Sequence, residues 1–149
     1  MPVVTLHPIH CVADREFGFA VVMTRHMGRW LFVRHKERAT WEIPGGHREP
    51  GEAIEKTAQR ELYEETGVMA STLMPVCAYS VEEDGNRSCG MLYWAEAASI
   101  AGLPESEIAE VQYFDRLPQN LTYPAIQPVL FRAVEEYAAC CDYTISEMY

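Results

Sequence analysis

The spacing of apolar positions changes several times along the chain, and the changes mark out the elements. Phe17-Gly18-Phe19-Ala20-Val21-Val22-Met23-Thr24 and Trp30-Leu31-Phe32-Val33-Arg34 are β-rich runs around a short Gly-bearing segment, the pattern of a hairpin. Trp41-Glu42-Ile43-Pro44 reads as a short extended piece that stops at Pro44-Gly45-Gly46. Residues 52–66 switch to helical periodicity. Two further strands, near Met74–Glu82 and Cys89–Ala97, flank the turn Glu83-Asp84-Gly85-Asn86-Arg87. Val111–Asp115 reads as a strand, and Ile126–Ala139 as a second helix with Ile126, Val129, Leu130, Ala133, Val134 and Tyr137 on one face. Strands and helices mix without strict βαβ alternation, which predicts an α+β fold: a mixed sheet with helices packed on it.

Nothing in the composition divides the chain. Its 149 residues suit a single domain over 1–149. No apolar run approaches the roughly 18 residues of a membrane span, and Met1–His7 carries no basic-then-apolar leader, so a cytoplasmic protein without a membrane partner is expected. Cys11, Cys77, Cys89, Cys140 and Cys141 show no zinc spacing and read as reduced, partly buried thiols. Lys and Arg number 12 against 22 Asp and Glu, a net charge of −10. That balance disfavours a long nucleic acid, which needs clustered cations. It leaves room for a small polyphosphate bridged to carboxylates by a divalent ion.

The helical segment carries the informative charges. Pro50-Gly51 opens it and Gly67 suits the position past its last turn. At about 100° per residue, Glu52, Glu55, Lys56, Gln59 and Tyr63 share a solvated arc, with Ile54, Ala58 and Leu62 opposite. Glu61 and Glu65 fall within about 20° of the Ile54 direction, and Glu64 lies beside Thr57. Acids in a last turn oppose the helix dipole, and Glu61 and Glu65 are like charges at i, i+4. Two readings stand: a solvated helix end, or an inward carboxylate set for Mg²⁺ or Mn²⁺. Arg60 likewise is either an i, i+4 partner of Glu64 or a clamp orienting a glutamate.

Gly46, five residues, Glu52, seven residues, then Arg60-Glu61-Leu62-Tyr63-Glu64-Glu65-Thr66-Gly67-Val68 resembles the Nudix box, G-x5-E-x7-R-E-U-x-E-E-x-G-U with U bulky aliphatic, at every defined position. The resemblance implies the Nudix fold, a mixed sheet sandwiched between helices, with Gly46–Val68 as its catalytic loop and helix. It implies hydrolysis of a nucleoside diphosphate linked to another group X, dependent on Mg²⁺ or Mn²⁺. Carried onto this sequence, the metal ligands are Gly46, through its carbonyl, with Glu61, Glu64 and Glu65. Glu61, Glu64 and Arg60 form the catalytic set, and Glu61 is a ligand or the general base. Some members place a further base downstream, for which Glu107 and Glu110 are candidates here. Nudix chains often pair, so a homodimer is compatible with the resemblance.

Within the family, Trp41-Glu42-Ile43-Pro44-Gly45-Gly46 is similar to the W-E-F-P-G-G of MutT-type nucleoside triphosphate pyrophosphohydrolases, which release a nucleoside monophosphate and pyrophosphate. His47 stands where those proteins carry Lys. Their later P-A-N aligns with Pro124-Ala125-Ile126, which lacks the purine-reading amide. Candidate substrate contacts are Arg34 and Arg38, from the basic cluster ahead of the box, with Trp41 and Tyr79; a solvated loop is the competing reading of that cluster. The alternatives are a nucleotide-binding sensor without turnover and hydrolysis of a nucleotide sugar or dinucleotide. Attack on RNA 5′ ends is disfavoured by the net charge.

Overall fold

The computed structural model describes residues 1–103 and 106–148. The strands are β1 (Val3–His7), β2 (Phe17–His26), β3 (Arg29–His35), β4 (Gly45–His47), β5 (Val68–Glu83), β6 (Asn86–Ile100) and β7 (Ile108–Phe114); the helices are α1 (Ile54–Thr66) and α2 (Gln127–Met148). They form a sheet of order β1-β5-β6-β2-β3-β7, with β4 added on β2. All pairings are antiparallel except β2 with β6. One layer, α1, covers the cluster Ala20, Val22, Leu31, Met91, Tyr93 and Ala95 through Ile54, Ala58 and Leu62. The other, α2, covers Met23, Trp30, Phe32, Leu92 and Trp94 through Leu130, Phe131, Val134 and Ala138. Successive β6 residues thus alternate between the two helical layers, as the two-residue period of a strand demands.

Both hairpins follow their turn chemistry. Met27-Gly28 (φ 52° and 79°) joins β2 to β3, and Asp84-Gly85 (φ 52° and 79°) joins β5 to β6, each with both central residues in the left-handed region that two-residue turns require. The strands around the second turn run well beyond Met74–Glu82 and Cys89–Ala97. The added segments, 68–73 on β5 and 98–100 on β6, show no clean alternation in the sequence, and it is the mutual β5–β6 pairing that carries the strands to Val68 and Ile100.

Three expectations are corrected. Gly45-Gly46 does not end an extended piece; it begins β4. A Cβ at Gly45 would collide with the Ala20 carbonyl and lie 2.9 Å from Val21 Cα, so the glycine is what lets this strand press onto β2. Glu52 is not on the solvated arc, because the helix starts at Ile54 and the wheel does not reach it. On α2, Val129 is 36% exposed, and Phe131 and Ala138 take buried places. Of the cysteines only Cys89 is buried, while Cys11 and Cys140 are exposed. No helix among the described residues is long and apolar enough to cross a membrane.

Candidate active site

The outer edge of β2 is shared. Thr24–His26 pair with β3, and Phe19–Val21 pair with β4. Where β3 leaves, β4 enters, and α1 lies against it. Gly67 ends α1 at φ 75°, its N–H bonded to Tyr63 O at 2.8 Å. The last turn therefore points Glu61 and Glu65 at the two glycines. Gly45 N–H donates to Glu65 Oε1 at 2.8 Å. At Gly46 a Cβ would lie 2.5 Å from both Glu61 carboxylate oxygens, so only glycine admits that carboxylate.

Arg60 resolves its two readings in favour of the clamp. Its Nε and Nη2 donate to Glu52 at 2.8 and 3.0 Å, its Nη1 to Glu61 at 2.8 Å, and Nη2 also to His47 O at 3.0 Å; Glu64 is reached only at 3.4 Å. Thr57 adds a hydroxyl to Glu52. Arg60, then Thr57, hold the Glu52 carboxyl down to about 2. Burial drives the other two acids the opposite way. Glu61 is raised despite Arg60. Glu65, 7% exposed, is pushed up to about 8, with Glu61, Glu42 and Glu107 adding repulsion to the loss of water. Carboxyls pushed so far apart within one loop and helix make this a candidate site for proton and charge chemistry.

These groups open onto a cleft of about 710 Å³ lined by Arg60, Glu61, Glu65, Gly45 and Gly46 at one end. Phe19, Val21, Tyr79, Val81, Ile126 and Leu130 add an apolar wall. Phe19 packs on Tyr79 (centroids 5.5 Å apart) and edge-on to His47 (6.3 Å). The rings meet over Gly90, where a Cβ would lie 2.5 Å from Phe19 and 2.7 Å from Tyr79. Arg38 reaches the cleft rim, donating to Glu42 at 2.8 Å and to the Tyr123 hydroxyl at 3.4 Å.

Not every candidate from the sequence comes to this place. Glu61, Glu65, Gly46, Arg60, Arg38, Tyr79 and Glu107 line the cleft. Glu64 is half-exposed beside Arg60. Arg34 is paired with Glu110 at 3.3 Å, away from the lining, so neither faces the cleft. Trp41 packs edge-on against Phe114 in the α2 core, with centroids 5.2 Å apart. Two residues outside the predicted site set also come here. His35 and the buried Glu42 both line the cleft, and Glu42 sits 3.6 Å from the His35 ring. Glu42 was visible as a charge inside an apolar run, and His35 as a member of the basic cluster ahead of the box.

The candidate donors, Glu61, Glu64, Glu65 and the Gly46 carbonyl, are all oxygen, a chemistry that fits a hard divalent cation. The buried Glu65 has Glu61, Glu42 and Glu107 around it. Among the described residues no three acid, His or Cys side chains stand ready-made to hold a metal ion; Arg60 engages Glu61 and Gly45 N–H engages Glu65.

Comparison with known proteins now decides the family. The NUDIX domain model matches residues 14–129, which include every element from β2 to the start of α2. The chain belongs to the Nudix hydrolase family. It is 32% identical over 104 residues to the Bacillus subtilis protein named "Putative 8-oxo-dGTP diphosphatase YtkD", covering 68% of this chain and 64% of that one. It is 41% identical over 64 residues to a MutT-like protein of Streptomyces ambofaciens, covering 43% and 38%. The matches thus span under two thirds of these relatives. Among solved structures, the Bacillus subtilis pyrophosphohydrolase BsRppH superposes with a TM-score of 0.78 at 25% identity, over 91% of this chain and 92% of that one. The Nudix fold places the box, through β4 and α1, along one end of the cleft.

Proposed function

We propose that this Nudix chain hydrolyses a diphosphate linkage in a nucleoside diphosphate linked to X. The substrate is a nucleoside triphosphate and the products are a nucleoside monophosphate and pyrophosphate. The observation that carries the reading is the buried Glu65, tied to Gly45 beside an Arg60-held Glu61 at the mouth of an aromatic cleft. The names of YtkD and BsRppH, a diphosphatase and a pyrophosphohydrolase, support the same class.

Glu61, Glu64, Glu65 and the Gly46 carbonyl hold Mg²⁺ or Mn²⁺ in this reading. When bound, the ion supplies Lewis-acid stabilisation of the phosphoryl oxygens. Arg60 keeps Glu61 aimed at the cleft, and the Gly45 N–H does the same for Glu65. Glu107, on the cleft wall, is the candidate to accept the proton of the attacking water in this reading, whereas Glu110 pairs with Arg34. Phe19, held by Tyr79, offers a face for the base to stack on, and Arg38 offers its guanidinium to the phosphates. A small nucleotide is the partner; the −10 charge repels a long polyanion. A homodimer is compatible with this reading. A cytoplasmic setting supplies both nucleotide and cation.

Phosphate and pyrophosphate release from nucleoside triphosphates, nucleotide sugars and dinucleotides tests this, run with Mg²⁺, Mn²⁺ or EDTA and with or without added pyrophosphatase. Metal-dependent pyrophosphate from triphosphates is the expected result. Silence across the panel, with thermal stabilisation by one nucleotide, would make the chain a binding module instead.

A further inference from the structure

Glu42 and Glu65 are the two buried acids among the described residues, and one ring nitrogen faces both. His35 Nε2 lies 3.6 Å from Glu42 Oε1 and 3.5 Å from Glu65 Oε2. Its Nδ1 lies 4.0 Å from Glu107 Oε2. The other oxygen of each buried acid is already engaged. Glu42 Oε2 accepts from Arg38 at 2.8 Å and from the Thr122 hydroxyl at 3.1 Å, and Glu65 Oε1 accepts from Gly45 N–H at 2.8 Å. Each acid thus keeps one oxygen, and both of those oxygens turn to the same nitrogen.

The backbone explains how a β3 residue gets there. The β3–β7 register shifts between Arg34 and His35, and such an irregularity re-aims side chains. Arg34 goes out to Glu110, while His35 goes into the cleft. On the far side, Thr122 and Glu42 belong to a wall stitched together by the Trp41–Leu121 bridge, the Thr40–Thr122 hydroxyl contact of 2.5 Å and Asn120 Nδ2 donating to Ala39 O at 3.0 Å. That wall carries Arg38 and Tyr123 at the rim.

The geometry points to His35 as a positioning residue: its Nε2, set between Glu42 and Glu65, holds the second oxygen of Glu65 in place and ties the catalytic helix to the loop wall that carries Arg38. This rests on the hydrolytic reading above for its kinetic consequence, but the contact itself does not. A partner that orients a ligating carboxylate acts on turnover rather than on substrate binding, and losing one costs about 10–100-fold.

Two measurements test it. Long-range ¹H–¹⁵N spectra of the histidine rings, taken on the metal-free protein, report the surroundings of each ring nitrogen whether or not the protein turns anything over. A His35 Nε2 signal that moves in both Glu42→Gln and Glu65→Gln is expected. A signal indifferent to either variant overturns the proposal. In the kinetic arm, His35→Leu lowers kcat about tenfold or more with KM within about threefold, and His35→Gln, whose amide N–H reaches a similar point, restores most of it. A raised KM at unchanged kcat would instead make His35 a substrate contact. A wild-type protein that hydrolyses nothing, yet gives the expected spectra, would overturn the hydrolytic reading and leave the shared contact standing.

Discussion

At the scale of single residues, the site depends on carboxylates whose environments differ within a few ångströms. Glu64 is half-exposed and makes only a long contact to Arg60, so it contributes little to folding. Glu64→Gln should therefore cut kcat/KM by about a hundredfold or more while leaving the thermal midpoint almost unmoved. Near-normal turnover would remove Glu64 from the catalytic set. Glu65 offers a test that needs no substrate. Its carboxyl rises from an ordinary 4.5 to about 8, so the folded protein binds that proton more tightly than the unfolded chain. The associated stability is fully present below about 4.5 and is lost as pH climbs through about 8. Glu65→Gln keeps an acceptor for Gly45 N–H but cannot ionise. In EDTA the variant should match the wild type near pH 4.5 and exceed it near pH 8.5, by up to a few kcal/mol. Urea midpoints at both pH values measure this; a gap that ignores pH would contradict the burial argument. The inward phase of Glu61 and Glu65 was legible in the sequence because helical phase is a local property. The direction of Arg34 was not, because it depends on which face of β3 the cleft occupies and on Glu110 opposite it on β7.

The element that matters most is α1 with the strand before it. Its C-terminal turn holds Glu64 and Glu65 and no basic residue, against the dipole. What keeps it is its end: Gly67 sits at φ 75°, and a Cβ there would come 2.7 Å from Ala101 O. Gly67→Ala should destabilise the fold by about 1–3 kcal/mol, through both the left-handed backbone and the clash. A lower urea midpoint at unchanged slope is the expected result, and an unchanged midpoint would mean the turn relaxes freely. Arg60 binds the same element to the loop ahead of it. Arg60→Lys keeps the charge but cannot span Glu52, Glu61 and His47 O together, and should cost about 1–3 kcal/mol together with most of the turnover. A Lys variant as active and stable as the wild type would reduce Arg60 to a generic cation. Helix α1 was readable from its period and caps, and the β2–β3 hairpin from its glycine turn. The short strands β1 and β4 were not: β1 shows no alternation long enough to register, and a Gly-Gly pair reads as a turn unless its neighbour in space is known.

For the whole molecule, the governing quantity is the charge of −10 with several acids gathered at one cleft. A divalent ion that binds the folded state there stabilises it by mass action, about 2.7 kcal/mol at a hundredfold excess over its dissociation constant. Millimolar Mg²⁺ should therefore raise the thermal midpoint more than NaCl of equal ionic strength, and EDTA should reverse the rise and abolish turnover. Equal effects of the two salts would indicate general screening and no bound ion. The α+β class, the central hairpin, the catalytic helix and the spacing of its glutamates were determined by the sequence alone, because periodicity, turn chemistry and motif spacing act between residues near one another in the chain. The tertiary structure alone decided which charges meet. It put Arg38 in the cleft and Arg34 outside it, pressed Gly45 against Val21, and brought His35 and Glu42 to Glu65. Those contacts join residues more than twenty positions apart or hang on a one-residue register step, and only the order of the strands and the backbone's close approach at two glycines can set them.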